Sequence, residues 1–202
     1  EKLDEIRDLS GSHTKLLSGT LSIAAIPSFS MNILSSTIAS FRSDYPNITL
    51  NVLEELSSVI AEEVRNERIM LGFVAKEKEE LFQETDITFE KLLEGHVMAC
   101  VGRQSPVSAF KEISYKEIVK HPIVSFKSKS PFFKKILSVL SNYGEPSILF
   151  NTALTNEGTG KQILTKGAGI GFVSSLVIKS DPYFMSNQLV AIPISEKKIS
   201  IH

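Results

Sequence analysis

Apolar and polar positions along the first part of the chain follow the spacing of strands and helices in turn. Thr20–Pro27 is an apolar run that predicts a strand ending at a proline, and an amphipathic helix follows it. The apolar stripe of this helix consists of Ile33, Leu34, Ile38 and Phe41. A second strand (I-T-L-N-V-L-E-E), a helix that Ser57 and Ser58 could cap, and a short buried strand (M-L-G-F-V-A) complete the pattern. This order predicts right-handed crossovers and a largely parallel sheet.

The pattern repeats in the second part of the chain. Ile87–Leu93 and His96–Val101 predict strands, and the second is apolar enough to be buried on both faces. Ser114 and Glu117 have the spacing of a capping box for the next helix. Two further strands (I-V-S-F and S-I-L-F-N-T) flank a helix that opens at Ser130–Pro131. The chain is therefore predicted to form two α/β units.

The stretch from Asn156 to Ser175 contains GTGK and GAGIG, which raises the question of a nucleotide site. A phosphate loop would need glycine at Thr155 and a hydroxyl residue at Gln162, and a dinucleotide fingerprint would need glycine at Phe172. All three positions fail. The stretch is instead predicted to be a helix that ends at Gly167 in the left-handed conformation, followed by a strand.

Composition narrows the classes of function. The chain has 202 residues, of which 42% are hydrophobic and 22% charged, as in ordinary globular proteins. With a formal net charge of −1, the chain has no excess of positive charge that could neutralise the phosphates of DNA. The lone Cys100 excludes an internal disulfide and fits a reducing compartment, and no apolar run is long enough to span a bilayer. A cytoplasmic location is predicted.

Five stretches in order resemble the effector-binding domain of LysR-type transcriptional regulators. They are G-T-L-S-I-A-A, F-R-S-D-Y-P-N-I-T-L-N-V-L-E-E, the helix and strand ending I-M-L-G-F-V, H-V-M-A-C-V-G-R-Q-S-P, and L-T-K-G-A-G-I-G-F-V. The resemblance covers roughly residues 19 to 202. Residues 1–18 have an amphipathic pattern that resembles the end of the linker helix of this family.

The resemblance implies two Rossmann-like subdomains joined by two crossover strands, the architecture of bilobed (type 2 periplasmic) solute-binding proteins. Subdomain I would comprise residues 19–97 and 192–202, and subdomain II residues 98–191. The crossovers would pass near Met98–Gly102 and Leu189–Pro193. The effector would bind in the cleft between the subdomains, and a DNA-binding winged helix-turn-helix domain would lie outside this chain.

Parallel sheets bind ligands beyond the carboxyl ends of their strands, where helix N-termini offer unpaired N–H groups and a partial positive charge. Hydroxyl groups and one lysine follow three predicted strands, and the resemblance places them in the effector cleft. The predicted effector-binding residues are Ser28, Phe29, Ser30, Ser57, Ser58, Gly102, Phe126, Lys127 and Ser128. Each serine could instead be only a helix cap, and Lys127 could be a solvated loop residue. Together they suit a small anion such as a carboxylate.

The predicted function is therefore effector sensing by a transcriptional regulator, with a homodimer or homotetramer implied by the resemblance and DNA bound only through the other domain. An extracytoplasmic solute-binding protein of a transporter, which shares the fold, is the alternative. An enzyme is not predicted, because none of the four histidines, His13, His96, His121 and His202, belongs to a recognisable triad or metal motif. No cofactor, metal or membrane partner is predicted.

Overall fold

The computed structural model describes residues 17–75, 86–125, 131–151, 157–196 and 198–201. The chain divides into two compact units, Glu1–Val74 (the first unit) and Ala75–His202 (the second unit). The subdomain boundaries that the resemblance implies remain a prediction. Residues 1–16 of the predicted linker helix lie outside the described residues.

The first unit alternates strands and helices as its sequence pattern predicts. Its elements are β1 (Gly19–Ala25), α1 (Pro27–Phe29), a π-helical segment (Ser30–Leu34), α2 (Ser35–Asp44), β2 (Ile48–Glu54), α3 (Ser57–Arg65) and β3 (Leu71–Phe73). The strands form a sheet in the order β2-β1-β3. Both pairings of β1 are parallel, which confirms the predicted parallel sheet of this unit.

The central strand β1 is covered on both faces. Successive side chains of a strand point to opposite faces, so Ile23 and Ala25 share one face while Ala24 occupies the other. Ile23 and Ala25 pack with Leu34 of the π-helical segment, whereas Ala24 packs with Ile60 of α3. This two-sided burial explains why the sequence of β1 is an apolar run rather than an alternating one.

The second unit combines antiparallel and parallel strand pairs. Its elements are β4 (Gly95–Gly102), a 3-10 helix (Pro106–Ala109), α4 (Tyr115–Ile118), β5 (Ile123–Ser125), α5 (Pro131–Leu140), β6 (Ile148–Asn151), α6 (Glu157–Thr165), β7 (Gly171–Ser174), α7 (Pro182–Met185), β8 (Leu189–Pro193) and β9 (Ser200–Ile201). β4 pairs antiparallel with β7, β8 and β9, and β5 pairs parallel with β6. The segments predicted as crossovers, β4 and β8, are thus hydrogen-bonded neighbours.

The glycine-rich stretch has the predicted backbone role. Helix α6 ends at Thr165, and Gly167 has a φ of +78°, the left-handed conformation that closes many helices. Strand β7 then begins at Gly171. Ser114 caps α4 as predicted, since its Oγ accepts a hydrogen bond of 3.1 Å from the backbone N–H of Glu117.

Three local predictions were wrong. M-L-G-F-V-A was predicted to be a short buried strand, but Leu71 of β3 is 51% exposed and Met70 before it is 89% exposed. Ile87–Leu93 was predicted to be a strand but forms none. Ile87 and Phe89 are half-buried between exposed residues, so the alternation in the sequence reflects burial on one side. Burial on one side does not by itself create the hydrogen bonds between neighbouring strands. Ser57 does not cap α3, because the helix begins at Ser57 and its N-cap residue is Leu56, in an extended conformation without a side-chain cap. In the described residues, no helix has both the length and the apolarity that crossing a membrane requires.

Candidate functional site

The carboxyl ends of all three strands of the first unit meet at one edge of the sheet, called the strand-end edge below. In the parallel register, Ala25 at the end of β1 stands beside Glu54 of β2 and Phe73 of β3. Backbone hydrogen bonds continue past the strands, from Ile26 N–H to Phe73 O (3.0 Å) and from Glu55 N–H to Ala25 O (3.3 Å). The residues that follow β1 and β2 therefore start from the same edge, as a ligand site of this fold type requires.

The first predicted cluster, Ser28, Phe29 and Ser30, occupies the first turn after β1. Pro27 stands at the start of this turn, where its missing N–H costs nothing, and Ile26 before it is extended. All three predicted residues are partly exposed. The ring of Phe29 stacks on that of Phe73, with centroids 4.9 Å apart, and both rings pack against the apolar cluster around Ile23. Phe29 thus holds the turn against the sheet.

The second predicted cluster begins α3. Ser57 is half-buried and Ser58 is exposed. Glu55 precedes them, and its Oε2 accepts a long hydrogen bond of 3.4 Å from the N–H of Leu56. The strand-end edge therefore carries hydroxyl groups and one half-buried carboxylate.

The third predicted cluster, Phe126, Lys127 and Ser128, lies outside the described residues. Ser125 directly before it is 1% exposed, and its Oγ has no hydrogen-bond partner among the described residues. Gly102 ends β4 and is buried; a Cβ at this position would lie 2.2 Å from the carbonyl oxygen of Leu164. Close packing against α6 is therefore sufficient to require glycine here.

Sequence reasoning missed two buried polar residues, Asn32 and Ser125. Asn32 is 7% exposed and lies one turn after Ser28, within the π-helical segment. Its Nδ2 donates a hydrogen bond of 2.8 Å to the backbone carbonyl of Ser28, whereas its Oδ1 has no partner among the described residues. An asparagine inside the apolar M-N-I-L run was the available signal, because buried polar side chains are uncommon without a polar partner.

Three other polar side chains of the described residues, those of Lys161, His121 and His96, have partners within the second unit. Lys161 of the GTGK motif is buried and forms an ion pair with the buried Asp181 at 2.5 Å, so it serves the interior and not a phosphate. His121 contacts Glu117 on α4 at 3.4 Å. Burial and, secondarily, the charge of Lys198 lower the pKa of His96. Within the described ranges, no group of three His, Cys, Asp or Glu side chains could hold a metal ion.

The comparisons with curated proteins agree on one family. The family model described as the LysR substrate binding domain matches residues 14–202. The HTH-type transcriptional regulator CysL of Bacillus subtilis (strain 168) is 26% identical over 170 residues, which cover 84% of this chain and 55% of CysL. The chain spans about half the length of the curated relatives it matches.

Solved structures show the same fold at low sequence identity. The Synechocystis PCC6803 CcmR regulatory domain, in complex with 2-PG, has a TM-score of 0.72 and 17% identity, with 91% of this chain and 85% of that chain covered. The effector-binding domain of QuiR, in complex with shikimate, has a TM-score of 0.70 and 14% identity, with 92% and 86% covered. The fold is the two-lobed, periplasmic-binding-protein-like one, and CysL is a transcriptional regulator, which does not favour the alternative of a transporter's solute-binding protein. The chain belongs to the LysR substrate binding domain family, the effector-sensing domains of LysR-type transcriptional regulators.

Proposed function

We propose that this domain senses a small metabolite bearing a carboxylate and thereby modulates transcription. The observation that carries the proposal is the strand-end edge, where Ser28 and Ser57 open helical turns beside the ends of three parallel strands. Helix N-termini and hydroxyl groups are suited to hydrogen-bond a carboxylate. Lys127 would supply the opposite charge. The location between two lobes that the resemblance implies stays part of this proposal.

The proposal extends to the partners of the whole protein. A homodimer or homotetramer is supported by exposed apolar residues on strand β6, where Ile148 is 40% and Leu149 is 55% exposed. DNA binding is assigned to a separate winged helix-turn-helix domain, because this chain has a net charge of −1 and spans about half of its curated relatives. Action on DNA would place the protein in the cytoplasm. Catalysis is not part of the proposed role.

A thermal-shift screen of organic acids tests the ligand class. A ligand that binds only the folded domain adds about 2.7 kcal/mol of stability at a hundredfold excess over its Kd, which raises the Tm by several degrees. We expect at least one carboxylate to raise the Tm at millimolar concentration, and its amide or alcohol counterpart not to do so. No shift with any carboxylate would refute the proposed ligand class.

The Lys127→Ala variant tests the proposed charge partner. Loss of a charge-assisted hydrogen bond worth about 1.5–3 kcal/mol should weaken carboxylate binding roughly tenfold or more. The matched control is Lys166→Ala, which removes an exposed lysine just after α6 in the same unit. We expect the control to bind as the unchanged protein does. Equal dissociation constants for both variants would place Lys127 outside the site.

A further inference from the structure

Asn32 is the buried polar side chain of the first unit that its packing does not explain. Its side chain reaches back over the first turn to the carbonyl of Ser28, in the direction that helical side chains lean. The amide group therefore contacts the proposed effector-binding turn, which follows the end of β1.

The hydrogen bond to Ser28 identifies which atom of the amide is left over. A carbonyl accepts only from a donor, so the atom 2.8 Å from Ser28 O must be Nδ2 and the other must be Oδ1. Oδ1 is buried and has no donor among the described residues. A buried acceptor without a donor is costly, and such atoms in native proteins call for a specific partner.

The Asn32 position also depends on an irregular backbone. The N–H of Ser35 bonds to the carbonyl of Ser30, five residues back, which inserts one extra residue into the turn. Single π-type turns of this kind are rare and are found frequently at functional sites. Asn32 lies within this irregular segment and is buried.

The charge at the strand-end edge favours the same kind of ligand group as the unpaired Oδ1 of Asn32. Glu55 is half-buried directly after β2, and within the described residues no cation forms an ion pair with it. Glu55 is the only charged residue among the described residues that directly follow the three strands, which are 26–30, 55–58 and 74–75. A negative carboxylate and an unpaired carbonyl oxygen both favour a positively charged hydrogen-bond donor.

We infer that the effector carries a primary ammonium group in addition to its carboxylate, and that Asn32 Oδ1 accepts a hydrogen bond from this group while Glu55 supplies the opposite charge. The inference rests on the proposed function and narrows its ligand class to amino acids and related zwitterions. Asn32 acts as a specificity-determining residue, because an effector that has a carboxylate but no ammonium group leaves the Oδ1 of Asn32 buried and unpaired.

A panel of matched compounds tests the ligand class on the unaltered chain. The panel consists of the common amino acids, each beside the acid that lacks its amino group and, where it exists, the hydroxy acid. We expect at least one amino acid to raise the Tm and to bind about tenfold or more tightly than both counterparts. Equal binding of the counterparts overturns the inference and leaves the carboxylate proposal standing. If no acid of any kind binds, both are overturned.

Substitution of Asn32 tests the residue itself. Asn32→Leu removes the acceptor at similar volume, and we expect it to lower the affinity for the amino acid roughly ten- to a hundredfold with little effect on the desamino acid. Asn32→Asp keeps an oxygen acceptor but loses the Nδ2 donor to Ser28, so we expect it to weaken amino-acid binding less than Asn32→Leu does. The control is Asn142→Leu, which deletes the same kind of amide-to-carbonyl bond, to Ser138, at an exposed position. Unchanged preference in Asn32→Leu overturns the assignment; if this variant fails to fold, the matched compounds on the unaltered chain decide.

Discussion

The buried ion pair between Lys161 and Asp181 gives the sharpest test of what stabilises the second unit. The two side chains are 1% and 0% exposed, and their charged atoms are 2.5 Å apart. Asp181 also caps helix α7, because its Oδ1 accepts a hydrogen bond of 2.9 Å from the N–H of Tyr183. We predict that Lys161→Met destabilises the chain strongly although methionine is an unbranched side chain suited to a buried position.

The size of the effect follows from the charge that is left behind. Removing one partner of a buried pair leaves an uncompensated charge, which costs about 3–5 kcal/mol and is a large part of the roughly 5–15 kcal/mol that stabilises a typical protein. Asp181→Asn should also destabilise the chain, because asparagine still caps a helix well but removes the carboxylate that pairs with the buried ammonium group. Asp181→Ala should cost about 1 kcal/mol more, since the cap is lost as well.

Urea denaturation followed by far-UV circular dichroism measures these costs, since the chain has no tryptophan to report by fluorescence. We expect the double variant Lys161→Met with Asp181→Asn to be less destabilised than the sum of the singles by more than about 1 kcal/mol, because it buries no lone charge. The control Lys120→Met breaks an exposed pair with Glu117 and should cost less than about 1 kcal/mol. Additive single and double effects would refute the role of the pair.

Two further predictions follow from charge. Burial and the charge of Lys198 lower the pKa of His96 from 6.5, so the unfolded chain binds a proton more readily than the folded chain. The stability should therefore fall as the pH drops through and below about 6.5. His96→Gln should flatten that part of a curve of Tm against pH. In a gel-shift assay, this chain alone should not bind its own promoter specifically, whereas the full-length protein should bind it. Sedimentation should show the full-length protein as a dimer or tetramer. Specific binding by this chain alone would contradict the proposal of a separate DNA-binding domain.

The sequence predicted the order of strands and helices in the first unit well, and the apolar run of β1 reflects the burial of that strand. β1 is covered on both faces and therefore reads as an unbroken apolar run, and parallel pairing follows from the intervening helices. The segment from Ile87 to Leu93 failed for a physical reason: alternation reports which side is buried and not whether a neighbouring strand exists. The extended Leu56 as N-cap of α3 was likewise invisible, because serine one position later gives the same local signal.

The sequence predicted less of the candidate site than of the fold, because the site depends on long-range geometry. The rule that ligands bind beyond parallel strand ends predicts Ser28 and Ser57 as site residues, and the structure brings the ends of the strands before them to one edge. Asn32 inside an apolar run was the one available signal, but its orientation could not be predicted, because it depends on the π-helical segment, and a single extra residue in a turn leaves no mark in a pattern of period 3.6. Phe126, Lys127 and Ser128 stay predictions.

The charge balance at the strand-end edge separates two kinds of anionic effector. Serine hydroxyls and helix N-termini favour a carboxylate, but the half-buried Glu55 on the same edge repels one. A simple organic acid would therefore gain hydrogen bonds and lose electrostatic energy at this edge, whereas a zwitterion can direct its ammonium group to Glu55 and Asn32 Oδ1. Glu55→Gln consequently has opposite expected effects on the two classes. It should weaken binding of an amino acid and strengthen binding of its desamino counterpart, so the sign of the change in each dissociation constant identifies which class the domain senses.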